Sequence, residues 1–172
     1  MRVKRFLIAA GFAVLSFNPA SAQSAPAAYK KLVLEDYFQG RFAAEGVFSN
    51  KRDGSQRRVK VAMRGTWDGK VLTLSEDFRF SDGARDFKTW RFTKTAPGRY
   101  TGRREDVVGE ARVYEEDGGI RLKYDAVLAG YTVAFSDVLT QTGPRTVLNT
   151  ADVSLFVIPV GDVVLRIRKT GR

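Results

Sequence analysis

The fold is decided by residues 58–83, which read RVKVAMRGTWDGKVLTLSEDFRFSDG. In this stretch apolar residues alternate with polar ones, and an Asp-Gly pair ends each run. Side chains of a β-strand point alternately to opposite faces, so the pattern predicts two strands that each bury one face. Asp68-Gly69 lies between the two runs and predicts a type I′ hairpin turn, whose two central residues both need positive φ.

The same alternation continues along most of the chain. Turn signals recur at hairpin spacing and predict roughly ten strands, with Pro159–Asp162 as the last turn. Because every connection is short, we expect an all-β, antiparallel up-and-down barrel of the lipocalin (calycin) type rather than a Greek-key sandwich. The predicted domain covers residues 41–172. Residues 23–40 are predicted as a lead-in, in which Leu32–Phe38 forms a short helix or turn that plugs one barrel end.

The N-terminus has the layout of a secretory signal peptide. A basic start is followed by an apolar stretch at Phe6–Phe17 and by an A-x-A cleavage site at Ala20–Ala22. The sequence therefore predicts that residues 1–22 are removed, with cleavage before Gln23, and that the protein is periplasmic or secreted. The apolar stretch is short for a membrane-spanning helix, and a retained anchor is the alternative.

The composition narrows the chemistry. The 172 residues include no histidine and no cysteine. Without histidine, Ser-His and Cys-His catalysis and the commonest transition-metal ligand are absent. Without cysteine there is no disulfide and no lipid-anchoring thiol. We therefore predict no metal site and no cofactor.

The charge of the chain favours anionic partners. The formal net charge is +10, and removal of three basic residues with the signal peptide leaves 26 basic against 19 acidic residues. Such a surface attracts phospholipid headgroups or fatty carboxylates, whereas export argues against nucleic acid. The outward-facing residues Arg58, Lys60 and Arg64 could contact an anionic membrane surface, or they could simply be solvated. The sequence leaves the oligomeric state open.

Three polar residues occupy positions where the alternation predicts buried side chains: Glu76, Asp137 and Asn149. A buried carboxylate is unfavourable unless it is paired or neutral, and Lys88 or Arg91 is the predicted partner. One interpretation is a polar patch inside an apolar cavity, which orients the polar end of a ligand or acts on it as acid and base. The alternatives are a buried ion pair that fixes the strand register, or positions near the barrel mouth where the three side chains are already in contact with water.

Aromatic residues are frequent on the predicted inner faces. They could line a lipophilic pocket or fill a core, and the pattern alone does not separate the two. We assign ligand contacts to Phe78, Phe80, Trp90, Tyr124 and Phe135.

Short motifs spread over the chain carry a family resemblance. They include Asp36-Tyr37-Phe38-x-Gly40, Gly65-x-Trp67-x-Gly69, Leu74-x-Glu76-Asp77-Phe78-x-Phe80-x-Asp82-Gly83, Gly98-x-Tyr100-x-Gly102 and Phe135-x-Asp137. With these motifs the chain resembles the bacterial DUF3833 family. The resemblance implies an exported protein with a connection to lipids, because members are often encoded near fatty-acid-modifying enzymes. The chain departs from the family pattern at Lys88 and Val138, where members often carry arginine and an aromatic residue, and in lacking the lipoprotein cysteine.

Three functions follow from these observations. The preferred one is binding or carrying a lipophilic, anionic ligand such as a fatty acid. The second is an accessory enzyme of fatty-acid or lipid modification that uses Glu76 and Asp137. The third is a structural partner at the outer membrane, which predicts a filled barrel.

Overall fold

The computed structural model describes residues 29–171, and the predicted signal peptide and cleavage site lie outside them. A short helix, α1 (Leu34–Tyr37), precedes the sheet. No helix in residues 29–171 is long and apolar enough to cross a membrane. The ten strands of this range are β1 (Gly40–Asn50), β2 (Gln56–Trp67), β3 (Val71–Phe80), β4 (Arg85–Ala96), β5 (Arg99–Arg103), β6 (Val107–Glu116), β7 (Gly119–Leu128), β8 (Tyr131–Gly143), β9 (Thr146–Leu155) and β10 (Ile158–Gly171).

The strands form a closed antiparallel barrel. Each strand pairs with its neighbours in sequence, and β1 pairs with β10 to close the sheet. This confirms the predicted up-and-down barrel. Closure pairs the backbone N–H and C=O groups of the two edge strands, which a chain rich in Val, Phe and Tyr would otherwise expose.

The alternation in β2 and β3 places the apolar residues inside the barrel. Val61 on β2 pairs with Phe78 on β3, and both side chains are buried. Leu74 pairs with Trp90 on β4, which is also buried. A shift of one residue would turn each apolar set to solvent, so the burial of alternate residues fixes this register.

The turn after β2 differs from the predicted type I′ geometry. Among its residues only Gly69 has positive φ, at 98°. The carboxylate of Asp68 accepts hydrogen bonds from the backbone N–H groups of Lys70 at 2.8 Å and Val71 at 2.7 Å. The Asp side chain therefore closes the turn and its backbone need not enter the left-handed region.

The predicted last turn at Pro159–Asp162 is also wrong. The β9–β10 connection is Phe156-Val157, and β10 already includes Pro159. The pairing register shifts between Pro159 and Gly161, so these two residues mark a β-bulge within the strand.

One barrel end is filled by the residues before β1. Leu32, Leu34 and Phe38 are almost fully buried there, and the Phe38 ring packs 5.4 Å from that of Phe42. A Cβ atom at Gly65 on β2 would clash with the carbonyl oxygen of Phe38, so only glycine lets this plug sit against the strand.

A buried carboxylate fastens the plug to the barrel wall. Glu35 of α1 accepts hydrogen bonds from Lys94 on β4 and from the hydroxyl of Tyr100 on β5. Burial alone would raise the pKa of Glu35, but these two hydrogen bonds outweigh it and lower the pKa. We call this the closed end. The opposite end carries the β1–β2, β3–β4, β5–β6, β7–β8 and β9–β10 connections and is the open end.

Candidate functional site

A cavity occupies the half of the barrel nearest the open end. Its volume is about 140 Å³. This is below the roughly 300 Å³ at which small-molecule pockets usually begin, so the cavity holds a small group or one end of a longer ligand. The apolar part of its wall consists of Phe48, Phe78, Phe80, Leu128, Phe135, Ala151, Val163 and Leu165.

Three polar residues lie at the inner end of this cavity. Glu76 from β3 and Asp137 from β8 are buried, and Asn149 from β9 is partly buried. The same three side chains border a second, deeper cavity of about 50 Å³, whose other walls are apolar. They therefore separate an apolar pocket above the plug from the cavity that leads to the open end.

Each of these three residues has a buried oxygen without a partner. Among residues 29–171, Glu76 Oε2, Asp137 Oδ1 and Asn149 Oδ1 accept no hydrogen bond. The hydroxyl of Tyr124 on β7 donates to Asp137 Oδ2 at 3.4 Å, which is a weak hydrogen bond. Native interiors rarely leave such oxygens unpaired, and here all three belong to residues that line both cavities.

Arg104 supplies the positive charge nearest to Glu76. It lies in the β5–β6 connection, and its Nη1 is 3.9 Å from Glu76 Oε2. Two hydrogen bonds, of 2.7 Å and 3.1 Å, join its guanidinium to the carboxylate of Asp106. Its Cζ lies 4.6 Å from the centroid of the Trp90 ring, within the range of a cation–π interaction.

The predicted partners of Glu76 do not pair with it. Lys88 stands opposite Glu76 in the β3–β4 register, but its Nζ lies 2.9 Å from Asp86 and 3.6 Å from Asp106, at the cavity rim. Arg91 is exposed on the outer face of β4, because it is an odd number of residues from the inward-facing Lys88 and Trp90. Its assignment to the site was wrong.

Burial changes the acidity of both carboxyl groups. Desolvation raises the pKa of Glu76 to about 7, against the opposing effect of Arg104 and with further help from the charge of Asp137. Desolvation likewise raises the pKa of Asp137 to about 7, although Arg104, Asn149 and Tyr124 act in the other direction. Near neutral pH both groups can therefore donate or accept a proton.

Most of the predicted site residues come together around the cavity. Those that line it are Glu76, Phe78, Phe80, Lys88, Tyr124, Phe135, Asp137 and Asn149. Trp90 lies behind Arg104 and also packs edge-on against Tyr124, with ring centroids 5.2 Å apart. That these residues contact a ligand stays a prediction.

The sequence reasoning missed Arg104 and Asp106. The signal was present, because Tyr100, Gly102 and Arg104 are two residues apart and the first two are buried. A Cβ atom at Gly102 would lie 3.1 Å from the Trp90 ring, so the glycine leaves room for the indole that Arg104 covers. Within residues 29–171 no group of three carboxylates is placed to hold a metal ion.

Fold and site together define a closed ten-stranded β-barrel with one plugged end and a cavity of about 140 Å³ towards the other. A similar fold is the S-type phycobiliprotein lyase CPES from Guillardia theta, with a TM-score of 0.60, 11% sequence identity, and coverage of 83% of this chain and 96% of the lyase. A de novo designed fluorescence-activating β-barrel matches with a TM-score of 0.43 and 14% identity over 81% of this chain and 99% of the design.

The sequence comparisons give the family. The model of DUF3833, described as a protein of unknown function, matches residues 11–169, and the chain belongs to this family. No curated protein matches the sequence.

Proposed function

We propose that the protein binds a lipophilic small molecule with an acidic end group, such as a fatty acid, in the open half of the barrel. The observation that carries this proposal is a cavity with apolar walls and unpaired buried oxygens on Glu76, Asp137 and Asn149. Small-molecule sites commonly combine an apolar lining with a few convergent polar groups. The likeness to a phycobiliprotein lyase concerns the fold, and the ligand proposal is independent of it.

The polar groups favour one orientation of such a ligand. Protonated Glu76 and Asp137 can donate hydrogen bonds to a ligand carboxylate, and the Arg104 guanidinium beside Glu76 supplies positive charge. The acyl chain then lies along Phe80 and Phe135 towards the open end. In this orientation the acidic group of the ligand enters the cavity first, and its aliphatic part lies nearest the mouth.

This orientation makes binding pH-dependent. Below a pH of about 7 the two carboxyl groups are protonated and act as donors, whereas above it they are negative and repel a carboxylate. We expect the affinity for a fluorescent fatty acid, measured by titration and by displacement with the unlabelled acid, to fall from pH 6 to pH 8. An affinity that is constant or rises over this range contradicts the orientation.

Matched variants test whether the cavity is the binding site. Ala151→Leu fills the cavity and should abolish binding, whereas Ala62→Leu enlarges an exposed side chain on β2 and should not. Arg104→Gln should weaken binding of the acid, whereas Arg103→Gln, on the exposed neighbour, should leave it unchanged. Binding by Ala151→Leu with the affinity of the original protein would place the ligand elsewhere.

A second candidate function is an accessory enzyme of lipid modification. Two carboxyl groups with a pKa of about 7 in one cavity favour it, since acid–base catalysis is most efficient with groups that titrate near the working pH. Glu76→Gln distinguishes the two functions. If the protein is an enzyme, the Glu76→Gln variant still binds an acyl substrate but no longer converts it. If the protein is a carrier, neither the original protein nor the variant forms a product. The third hypothesis, a structural partner with a filled barrel, is disfavoured by the open cavity.

We also propose that the protein is exported and meets an anionic membrane surface. The basic start, apolar stretch and A-x-A site support export, and mass spectrometry of the mature protein should find Gln23 as its first residue. If the protein stays in the cytoplasm and keeps residues 1–22, the proposed export is wrong. The exposed side chains of Arg58, Lys60 and Arg64 on β2 support attraction to anionic headgroups.

A further inference from the structure

The open end carries an unusual concentration of exposed apolar side chains. Ten large apolar side chains are exposed in residues 29–171, and six of them lie on the tips of the β7–β8 and β9–β10 hairpins. We call these six the apolar mouth surface. They are Val127, Leu128, Tyr131, Phe156, Val157 and Ile158.

The two hairpin tips are adjacent and carry no charge. Ala134 on β8 pairs with Ser154 on β9, so the tips lie side by side on the rim. Residues 126–136 and 153–161 contain no Asp, Glu, Lys or Arg. Ordinary hairpin tips are polar, and a contiguous apolar patch on a protein surface usually marks an interaction site.

The β9–β10 tip projects beyond the end of β1. Asn50 at the end of β1 pairs with Gly161, and Ile158 lies three residues further along β10. The bulge takes up one of these residues, because Gly161 pairs with Val153 and Ile158 with Leu155, so at about 3.3 Å per residue Ile158 lies about 7 Å past the end of β1. Phe156 and Val157 at its apex are 86% and 90% exposed.

The backbone at this apex disfavours the residue that occupies it. Phe156 has φ of 56°, while Val157 does not have positive φ. A two-residue hairpin loop with positive φ at its first position selects glycine there, as in type II′ turns, and a bulky residue in that region is strained. Glycine at position 156 would make the turn more stable. A role other than stability therefore explains the phenylalanine.

Basic residues lie beside this apolar tip. The backbone N–H of Lys51 donates to the carbonyl of Val160 at 3.0 Å, which ties the β1–β2 connection to the base of the tip. The Lys51 ammonium lies 3.8 Å from Asp152 and 3.6 Å from Asp162, so its single positive charge is shared between two carboxylates just behind the tip. Arg52 is exposed on the same connection and takes part in none of the ion pairs of residues 29–171.

We propose that the open end of the barrel docks on an anionic lipid bilayer, with the apolar mouth surface inserted at the headgroup level and Arg52 against the headgroups. The projection of about 7 Å is within the depth to which interfacial segments enter, about 5–10 Å. The excess of 26 basic over 19 acidic residues in the mature chain attracts an anionic bilayer and repels a second copy of the chain. Docking in this orientation opens the cavity mouth towards the membrane.

The first test separates docking from folding. Phe156→Gly/Val157→Ser relieves the strained φ and should leave the melting temperature equal or higher. It should also weaken partitioning onto phosphatidylcholine–phosphatidylglycerol vesicles about tenfold or more, because two apolar side chains no longer enter the bilayer. The matched control is Val164→Ser, which changes an exposed apolar residue on the barrel wall and should bind as the original protein does. Equal vesicle binding by the double variant, or no binding by the original protein, overturns the proposal.

The second test locates the contact. Because the chain contains no cysteine, Val157→Cys and Pro97→Cys each give a single site for an environment-sensitive fluorophore, one at the open end and one at the closed end. We expect a blue shift on adding vesicles only for the label at position 157. An equal response at both positions overturns the orientation. A response at 157 to protein concentration alone, without vesicles, shows self-association and also overturns it.

Docking can fail without the proposed ligand binding failing. Ala151→Leu fills the cavity but leaves the apolar mouth surface intact, so it should still bind vesicles. Phe156→Gly/Val157→Ser should still bind a water-soluble short-chain fatty acid in the absence of vesicles.

Discussion

Replacing Glu76 by glutamine tests the electrostatics of the cavity directly. The pKa of this carboxyl is raised from 4.5 to about 7 in the folded protein, chiefly by burial. A group whose folded pKa is raised binds its proton more tightly in the folded than in the unfolded chain. Its contribution to stability is therefore lost as the pH rises from about 4.5 to about 7, and stays lost above that. Glutamine has nearly the same shape and cannot ionise, so the variant escapes this loss.

The size of the effect follows from the same difference. At 1.36 kcal/mol per pH unit, a difference of about 2.5 between folded and unfolded pKa corresponds to about 3 kcal/mol. We expect the free energy of unfolding of Glu76→Gln, relative to that of the original protein, to increase by about 3 kcal/mol between pH 4 and pH 8. Asp137 titrates in both proteins, so its effect largely cancels.

Urea unfolding followed by tryptophan fluorescence measures this difference at each pH. Glu45→Gln is the matched control, because Glu45 is exposed on the outer face of β1, and the pH dependence should be unchanged there. If the curves of Glu76→Gln and the original protein run parallel from pH 4 to pH 8, Glu76 does not titrate as a buried, poorly compensated acid and the reasoning is refuted.

Three further predictions concern the plug and the cavity wall. Gly65→Ala should destabilise the barrel by about 2 kcal/mol or more in urea unfolding, because its Cβ meets the Phe38 carbonyl, whereas Gly143→Ala, whose nearest neighbour would lie 3.9 Å away, should cost less than about 1 kcal/mol. Glu35→Gln should destabilise the protein by a constant amount between pH 7 and pH 5 and progressively less as the pH falls below about 4.5, because a carboxylate with a lowered pKa loses its contribution on protonation; an effect that stays constant down to pH 2 contradicts this. Tyr124→Phe removes a donor to Asp137 and should raise the pKa of Asp137 further, as measured by carbon-13 NMR of the carboxyl group; an unchanged pKa shows that the 3.4 Å contact carries no hydrogen bond.

The barrel could be predicted from the sequence because its information is local. Alternation over β2 and β3 specifies which face is buried, and a short connection specifies the next antiparallel neighbour. The two turn predictions were wrong because the same residue types are compatible with two different local structures. Asp68-Gly69 suits a type I′ turn and also a turn closed by the Asp side chain, and Pro159 and Gly161 suit a turn as well as a bulge.

The candidate site was only partly predictable, because its charges meet across strands that are distant in sequence. Alternation alone could place Glu76, Asp137 and Asn149 inside the barrel. It could not show that Arg104 would turn from a connection towards Glu76, since that depends on the bidentate contact with Asp106 and on the room left by Gly102. The division into a filled and a hollow half depends on side-chain packing around Phe38, and no one-dimensional pattern encodes it.

The order of the strands also has a kinetic consequence. Nine of the ten strand pairs join consecutive strands and can form as local hairpins. The tenth pair, the β1–β10 seam, brings Phe42 next to Lys169 only after the other strands have formed a curved sheet. The seam is therefore the last region to form. Until it closes, β1 and β10 are free edges, and a guest molecule longer than the finished cavity would have a way in between them.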